Sequence, residues 1–515
     1  MTHRSREAGS PHAQGGLVAF TLIAIVFAGV VASLYGPLLP MALTGDSYQW
    51  IQHAHVAAHK SAVLLADLDT FFRPSTTWTL VVDRFVWGGF NARGYRTTSL
   101  ALHGLAALAL VIVGRRLGLG WLAAAAVGLV WVTSPFSDES AIVVAYRFQP
   151  LLLLSWLVLI IVWPRQGESW CWSRLAAAVV AVVAGAASKE TWVVTPALVA
   201  ALEFERQRTW RSAVVPAVTV TGAVVAYLAF YFIVFPGSKS YFELGPHIVA
   251  KLPRQMAAFL FFQESTPGSI SLTWQAVAAL VVFGTLIAAC VKWRVPGTLT
   301  ALCLFVLPTM PTILVPFLPQ RYLAIPYAGF LLMVALWVSA LSRRFPKWRV
   351  SIQTVAMVAA VLVAMVGATI VRADIEDYQA ITASHALLLE QTAAVVAHVK
   401  GDAPLAVVID EKTSPLVEVA QFPVGYPKLV FVRNHDPYGL IDTAALFEWV
   451  LADEGTRVEH VVNWTADCEG VPGVVLVHSD GGFIDLATAP NLASEAAKWQ
   501  ASGRSVRVVR ATALD

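Results

Sequence analysis

The sequence predicts a polytopic α-helical membrane protein with a small α/β domain at its C-terminal end. Three observations point there. Of 515 residues, 57% are hydrophobic and 13% charged, with a mean hydropathy of +0.65, whereas soluble domains carry roughly a quarter charged residues. Apolar runs close to the ~20 residues needed to cross a bilayer recur as far as residue 371. Beyond it, short β-branched runs alternate with helix-like stretches, the signature of a small α/β unit.

In chain order, eleven apolar segments qualify as spans: 16–35, 97–114, 119–134, 141–163, 174–187, 191–203, 212–235, 271–291, 297–315, 322–341 and 350–371. The first follows Arg4 and Arg6 and is long enough to span. It lacks a small-x-small cleavage site before Tyr35, so it is expected as a retained helix rather than a signal peptide. The fifth and sixth are short and meet at Ser188, Lys189 and Glu190, which is compatible with two spans or with one reentrant element. Residues 1–371 are thus expected as the membrane domain, with a long first loop at 36–96, and 372–515 as the second domain. In the latter, strands are expected at 405–409, 428–432, 458–463, 474–478 and 506–508, and helices at 381–399, 443–454 and 491–502.

Sidedness follows from Lys and Arg in the short loops. With the N-terminus inside, the inside segments hold Arg4 and Arg6; Arg115 and Arg116; Arg165 and Arg174; Arg206, Arg208 and Arg211; Lys292 and Arg294; and Arg343, Arg344, Lys347 and Arg349. Each of these segments carries at least two basic residues. The first loop, the join at Lys189, the loops 235–271 and 316–321, and everything after Arg372 then lie outside the cytoplasm. The expected location is a bacterial inner membrane, with the C-terminal domain on the periplasmic or extracellular side.

Composition also excludes classes. A net charge of +3, with basic residues sorted by membrane side, leaves no nucleic-acid footprint. The four cysteines, Cys171, Cys290, Cys303 and Cys468, offer neither a disulfide framework nor a CxxC metal site. His55 and His59 share a helix face, but His53 does not join them and no third ligand is near, so zinc is not expected.

Candidate residues collect at the outer ends of the spans. Asp46, followed by Tyr48 and Trp50, is either a general base at the membrane surface or a helix N-cap. Asp67 and Asp69 form a DxD pair that could hold a divalent cation, or cap the helix that follows. Arg73, set between Phe71-Phe72 and Pro74, is a fork for phosphate or an interfacial snorkel. His103 and Arg147, ionisable groups inside spans, are functional candidates by position. Glu139, Lys189 with Glu190, and Arg321 with Tyr322 fall at the same depth, where they form either a binding site or ion pairs holding helices together.

The run FFRPSTTWTLVVDRFVWGGFNARGYRTTSLALH (71–103), followed by SDESAIVVAYRFQPLLLLSW, SKETWVVTPALVAALEF and LPQRYLAIPYAGFLLM, resembles, block by block and in order, the O-mannosyltransferase-like membrane proteins of the GT-C superfamily, notably their transmembrane TPR-containing branch. The resemblance covers about 300 residues, in pieces. It implies a GT-C-like fold of about eleven helices and a glycosyltransferase using a polyprenyl-phosphate-linked sugar donor. It further implies Asp46 as the base; Arg73, Arg147, Lys189 and Arg321 around the donor phosphate; and His103, Glu139, Glu190 and Tyr322 in support. No cofactor is implied beyond a divalent cation, which is left open. The implied partners are the lipid-linked donor, a protein, glycan or glycolipid acceptor, and membrane lipid. Two features depart from the family pattern. Gly45-Asp46 stands where paired acids are usual, and residues 373–515 show neither the about 34-residue period nor the consensus of a TPR array. A flippase for lipid-linked glycans is the competing reading, and an inactive scaffold of envelope-glycan assembly a third. The absence of an internal repeat and the gathering of charge at one face favour the enzyme.

Overall fold

The structure, a computed structural model, describes residues 11–43, 47–59, 72–88, 91–234, 245, 247–261, 274–312 and 320–398. Beyond these it describes the strand residues 405–410, 429–433, 456–463, 475–477, 483–485 and 506–513. The helices, in order, are α1 (Pro11–Tyr35), α2 (Ser47–His59), α3 (Pro74–Trp87), α4 (Ala92–Arg116), α5 (Trp121–Val132), α6 (Pro135–Ile142), α7 (Phe148–Val162), α8 (Trp172–Ala186), α9 (Thr195–Gln207), α10 (Trp210–Val234), α11 (His247–Phe261), α12 (Trp274–Lys292), α13 (Thr298–Val306), α14 (Thr309–Thr312), α15 (Ala324–Arg344) and α16 (Arg349–His398). The strands are β1 (Leu405–Asp410), β2 (Leu429–Arg433), β3 (Thr456–Asn463), β4 (Val475–Val477), β5 (Phe483–Asp485) and β6 (Val506–Ala513).

Seven helical stretches among the described residues are long and apolar enough to cross a membrane: Gly15–Leu38, Ala92–Arg116, Val144–Val162, Trp210–Ile233, Trp274–Lys292, Ala324–Arg344 and Pro346–Gln379. Three apolar helices are shorter: Trp121–Val132, Trp172–Ala186 and Thr298–Thr312. The difference from eleven spans has a local cause, because proline and short turns break several expected helices. The segment expected at 141–163 is broken by a short 3-10 turn at Val144–Arg147, after which α7 carries Pro150 in its first turn, where the missing N–H costs no helix bond. Between α8 and α9 runs another such turn, Glu190–Val194, and Pro196 opens α9. Two differences are additions. The expected loop 235–271 contains α11, an amphipathic helix, and the helix that holds the last span does not stop at 371 but runs on to His398.

The chain divides into two compact units. One comprises Met1–Leu38, Ala62–Thr79 and Arg96–Ile375, the other Leu39–Ser61, Leu80–Tyr95 and Glu376–Asp515. The strands of the second unit form a four-stranded sheet of order β2-β1-β6-β3, with β1 and β2 parallel and β6 antiparallel to β1 and β3, and a two-stranded β4-β5 ribbon. The helices expected at 443–454 and 491–502 lie outside the described residues.

In the first unit, helices approach closely where side chains are small, as membrane packing favours. A Cβ on Gly329 of α15 would collide with the backbone of Phe305 on α13, and one on Gly185 of α8 would lie 2.8 Å from Ser155 Oγ on α7. Phe283, Phe305, Phe330, Phe259, Tyr327 and Phe136 interlock as the aromatic core, with ring centroids 4.8 to 6.2 Å apart for the contacting pairs. This packing gives α7, α8, α9 and α15 two common ends. At one end gather Arg116, Arg165, Glu168, Arg174, Glu203 and Arg206. At the other gather Arg73, Glu139, Lys189, Glu190 and Arg321.

Candidate functional site

Pro74 opens α3, so Arg73 immediately precedes the helix, and proline disfavours the helical conformation for the residue before it. Ser75 fixes that start against the end of α8: its N–H donates to Ala187 O (2.8 Å) and its hydroxyl to Ala184 O (3.3 Å). Arg73 is thereby set across from the Glu190 turn. Its Nε and Nη2 donate to the two carboxylate oxygens of Glu190 at 3.2 and 3.3 Å, and its guanidinium lies 3.9 Å above the centre of the Phe148 ring.

A second fork stands opposite. Arg321, in the short turn before α15, donates from Nη1 to Glu139 Oε1 (2.6 Å) and from its backbone N–H to Glu139 Oε2 (2.7 Å). Its guanidinium lies 4.3 Å from the centre of the Tyr146 ring and 5.6 Å from that of Tyr322. Between the forks comes Lys189, 4% exposed, with Nζ 4.1 Å from the Tyr322 ring centre and 5.2 Å from Phe148.

The arrangement is three cations and two carboxylates in a largely buried, ring-lined space. Both carboxylates are engaged in bidentate bonds to arginines, a geometry that fixes both partners. Lys189 is different. Its ammonium has three N–H donors, and among the described residues it meets only ring faces, which attract a cation but accept no conventional hydrogen bond. Burial, and next the neighbouring Arg73 guanidinium, pull the Lys189 ammonium well below the usual lysine range. An anion with oxygen acceptors would reverse both effects, because it supplies the missing bonds and the opposite charge.

The structure thus brings together Arg73, Glu139, Lys189, Glu190, Arg321 and Tyr322, all named from the sequence. Others make different contacts. Arg147 is fully buried, and its Nε donates to Ser99 Oγ on α4 at 3.0 Å. Tyr146 and Phe148, on either side of it in sequence, face the two arginine forks. His103 packs in the core. Its Nε2 is 3.2 Å from Val132 O, which also accepts from the Tyr35 hydroxyl, and its ring lies 5.3 and 4.8 Å from those of Tyr35 and Trp131. Asp46, Asp67 and Asp69 lie outside the described residues.

Sequence reasoning missed the platforms. Tyr146 and Phe148 flank an arginine at the point where an apolar segment breaks, a pattern that could have been read. Tyr227, midway along α10, packs its ring 5.3 Å from Trp192 and 6.3 Å from Phe72. No sequence signal separates it from an ordinary span tyrosine.

No protein-family model matches this chain, and no curated protein matches it. Among solved structures it is similar to ArnT from Cupriavidus metallidurans bound to undecaprenyl phosphate, at 15% identity and a TM-score of 0.50, covering 78% of this chain and 83% of that one. ArnT in the apo state aligns at 15% identity and a TM-score of 0.45 over 76% and 82%. The fold of this chain is therefore ArnT-like.

Proposed function

We propose that the chain is an integral-membrane glycosyltransferase that takes a sugar from a polyprenyl-phosphate-linked donor. One observation carries the reading: the buried Lys189 ammonium, without an acceptor among the described residues, stands between two arginine forks whose carboxylates are already engaged. The phosphodiester of such a donor, and the phosphate monoester it releases, match that ammonium in charge and in hydrogen bonding. The ArnT-like fold adds support, since the similar structure holds undecaprenyl phosphate.

In the proposed mechanism the donor's isoprenoid chain lies along the apolar helices and its phosphate meets Lys189, with Arg73 and Arg321 alongside. The bond between the anomeric carbon and the phosphate oxygen breaks as the acceptor hydroxyl attacks from the opposite side, giving inversion. Asp46 takes the hydroxyl proton, and the departing polyprenyl phosphate keeps the electron pair. Its growing negative charge is stabilised by cations held in place beforehand, the arrangement that lowers a barrier most. Glu190 and Glu139 position the arginines. The reaction takes place on the non-cytoplasmic face, which has no nucleotide sugars, so a membrane-carried donor is required. The basic-residue distribution supports that sidedness, with eleven crossings and residues 372–515 on the same face.

The test is transfer by the purified full chain in lipid, with a polyprenyl-phosphate sugar as donor. The expected result is release of polyprenyl phosphate coupled to acceptor glycosylation, lost in Lys189→Gln and in Asp46→Asn. Turnover unchanged in Lys189→Gln would remove the phosphate assignment. Donor movement across the bilayer without transfer would replace the enzyme with a flippase.

A further inference from the structure

The opposite end of the bundle holds a second gathering of cations, which the transfer chemistry does not use. Three connections meet there: α4 to α5 at Arg115 and Arg116, α7 to α8 at residues 163–171, and α9 to α10 at Arg206 and Arg208. The carboxylates of this corner are engaged. Glu168 accepts from Arg174 Nη1 at 2.5 Å and from the Arg165 backbone N–H at 3.1 Å, while its carbonyl accepts from Arg206 Nη1 at 3.0 Å. Glu203 accepts from Arg206, Gln207 and Trp163 Nε1, and Glu205 from Thr300 and the Leu299 backbone.

Arg116 and Arg165 are not among the guanidiniums so engaged. Arg116 is half-buried at the end of α4, within electrostatic reach of Arg165, Glu168 and Arg174, and among the described residues neither Arg116 nor Arg165 donates a side-chain hydrogen bond to any acceptor. Membrane sidedness requires only that loops carry positive charge, not that arginines from separate loops converge against their own repulsion. The surroundings are those of a membrane boundary. Trp163 and Trp170 pack edge to face at 4.9 Å, Trp172 is 85% exposed and Trp210 60%, matching the aromatic belt at headgroup depth.

We infer that Arg116 and Arg165, with Arg174 beside them, form a binding site for the phosphate headgroup of an anionic phospholipid in the adjoining leaflet. Planar guanidiniums match phosphate oxygens in pairs, and the exposed tryptophans offer the glycerol and upper acyl region an apolar, hydrogen-bonding rim. This inference stands apart from the transferase reading, since it involves other residues at the other end of the bundle.

Native mass spectrometry of the full chain, released from detergent micelles containing equal phosphatidylglycerol and phosphatidylcholine, tests it. Phosphatidylglycerol is expected to remain bound in preference to phosphatidylcholine. Its apparent affinity is expected to fall about five-fold in Arg116→Gln and again in Arg165→Gln, the effect of about one basic residue near an anionic headgroup. Glu168→Gln, which removes the competing carboxylate, is expected to tighten binding. Arg165 is exposed, so its variant is expected to fold, and an unchanged gel-filtration profile checks this. Equal retention of the two lipids, or unchanged binding in the double variant, would overturn the site. So would displacement of the lipid by millimolar inorganic phosphate, which would show general anion attraction rather than a headgroup site.

Discussion

The two ends of the bundle use the same chemical pieces in different surroundings. Where Arg174 meets Glu168, the side chains are 35% and 39% exposed, and water and salt screen the pair. Where Arg73 meets Glu190, the arginine is 6% exposed and the glutamate 33%, and Arg321 with Glu139 stands at 22% and 19%. Aromatic rings lie against the arginine of each of these pairs. An ion pair that is near neutral in energy at the first end thus becomes, at the second, a fixed electrostatic element beside an extra buried ammonium. Charge alone does not distinguish the ends; burial, and the lack of an acceptor for Lys189, does.

Lys189 gives the largest contrast. Loss of a preorganised cation that stabilises a developing anion costs roughly 10² to 10³ in turnover, so Lys189→Met is expected to lose at least that much transfer activity. The same substitution removes a buried charge and fills its volume with an apolar chain, which is expected to raise thermal stability in detergent. A variant both inactive and more heat-resistant marks a group kept for function at the expense of stability. Falling stability together with activity would instead make Lys189 a structural residue.

Next in size is the fork at Arg321. Glu139→Ala leaves Arg321 without the two bonds it now makes to that carboxylate, one from its guanidinium and one from its backbone N–H, and partial exposure moderates the penalty. The expected loss is about 2 kcal/mol, seen as a lower midpoint in thermal unfolding. Glu139→Gln, which keeps one acceptor, is expected to lose less. Equal losses in the two variants would show that the packing of the side chain, not its charge, is what matters.

The depth of these residues was legible in the sequence; their direction was not. Arg73, Glu139, Lys189, Glu190 and Arg321 all stand at the same end of an apolar run, and counting Lys and Arg in the loops sorts them to one side. Arg147 has the same depth, but the break at Val144–Arg147 turns it toward Ser99 and gives the site-facing positions to its aromatic neighbours. Glu190 follows Lys189 in sequence, yet its carboxylate reaches Arg73, a choice made by the rotation of the Glu190–Val194 turn. The helix α11 was hidden because Lys251, Pro253 and Arg254 lower the hydropathy of a segment whose Met256–Phe259 side is buried. A hydropathy ruler reads length and depth along the membrane normal; rotation about a helix axis comes from packing.

The pH dependence sharpens the comparison further. The Lys189 ammonium is depressed, first by burial and then by Arg73, so in the ligand-free protein it loses its proton at a lower pH than a free lysine. Between those two pKa values the unfolded chain holds more protons than the folded one, so the Lys189 contribution to stability rises with pH there. Binding of a phosphate runs the other way, because it needs the ammonium. Affinity for polyprenyl phosphate is expected to fall as pH rises through the depressed pKa. Lys189→Arg, charged throughout, is expected to lose that pH dependence while keeping part of the affinity. An identical pH profile in the variant would place the titrating group elsewhere.

The smallest effect is expected at the exposed pair. Glu168 accepts the Arg165 backbone N–H and then the Arg174 guanidinium, and these hold its carboxyl below the usual range. Its contribution is present above the unfolded-state pKa and fades as pH falls through the lowered folded-state value. Both partners are open to solvent, so Arg174→Gln is expected to shift stability by no more than about 1 kcal/mol, and less in high salt. If it cost as much as Glu139→Ala, surroundings would not be what separates the two ends, and the contrast between a screened pair and a ring-lined one would fail.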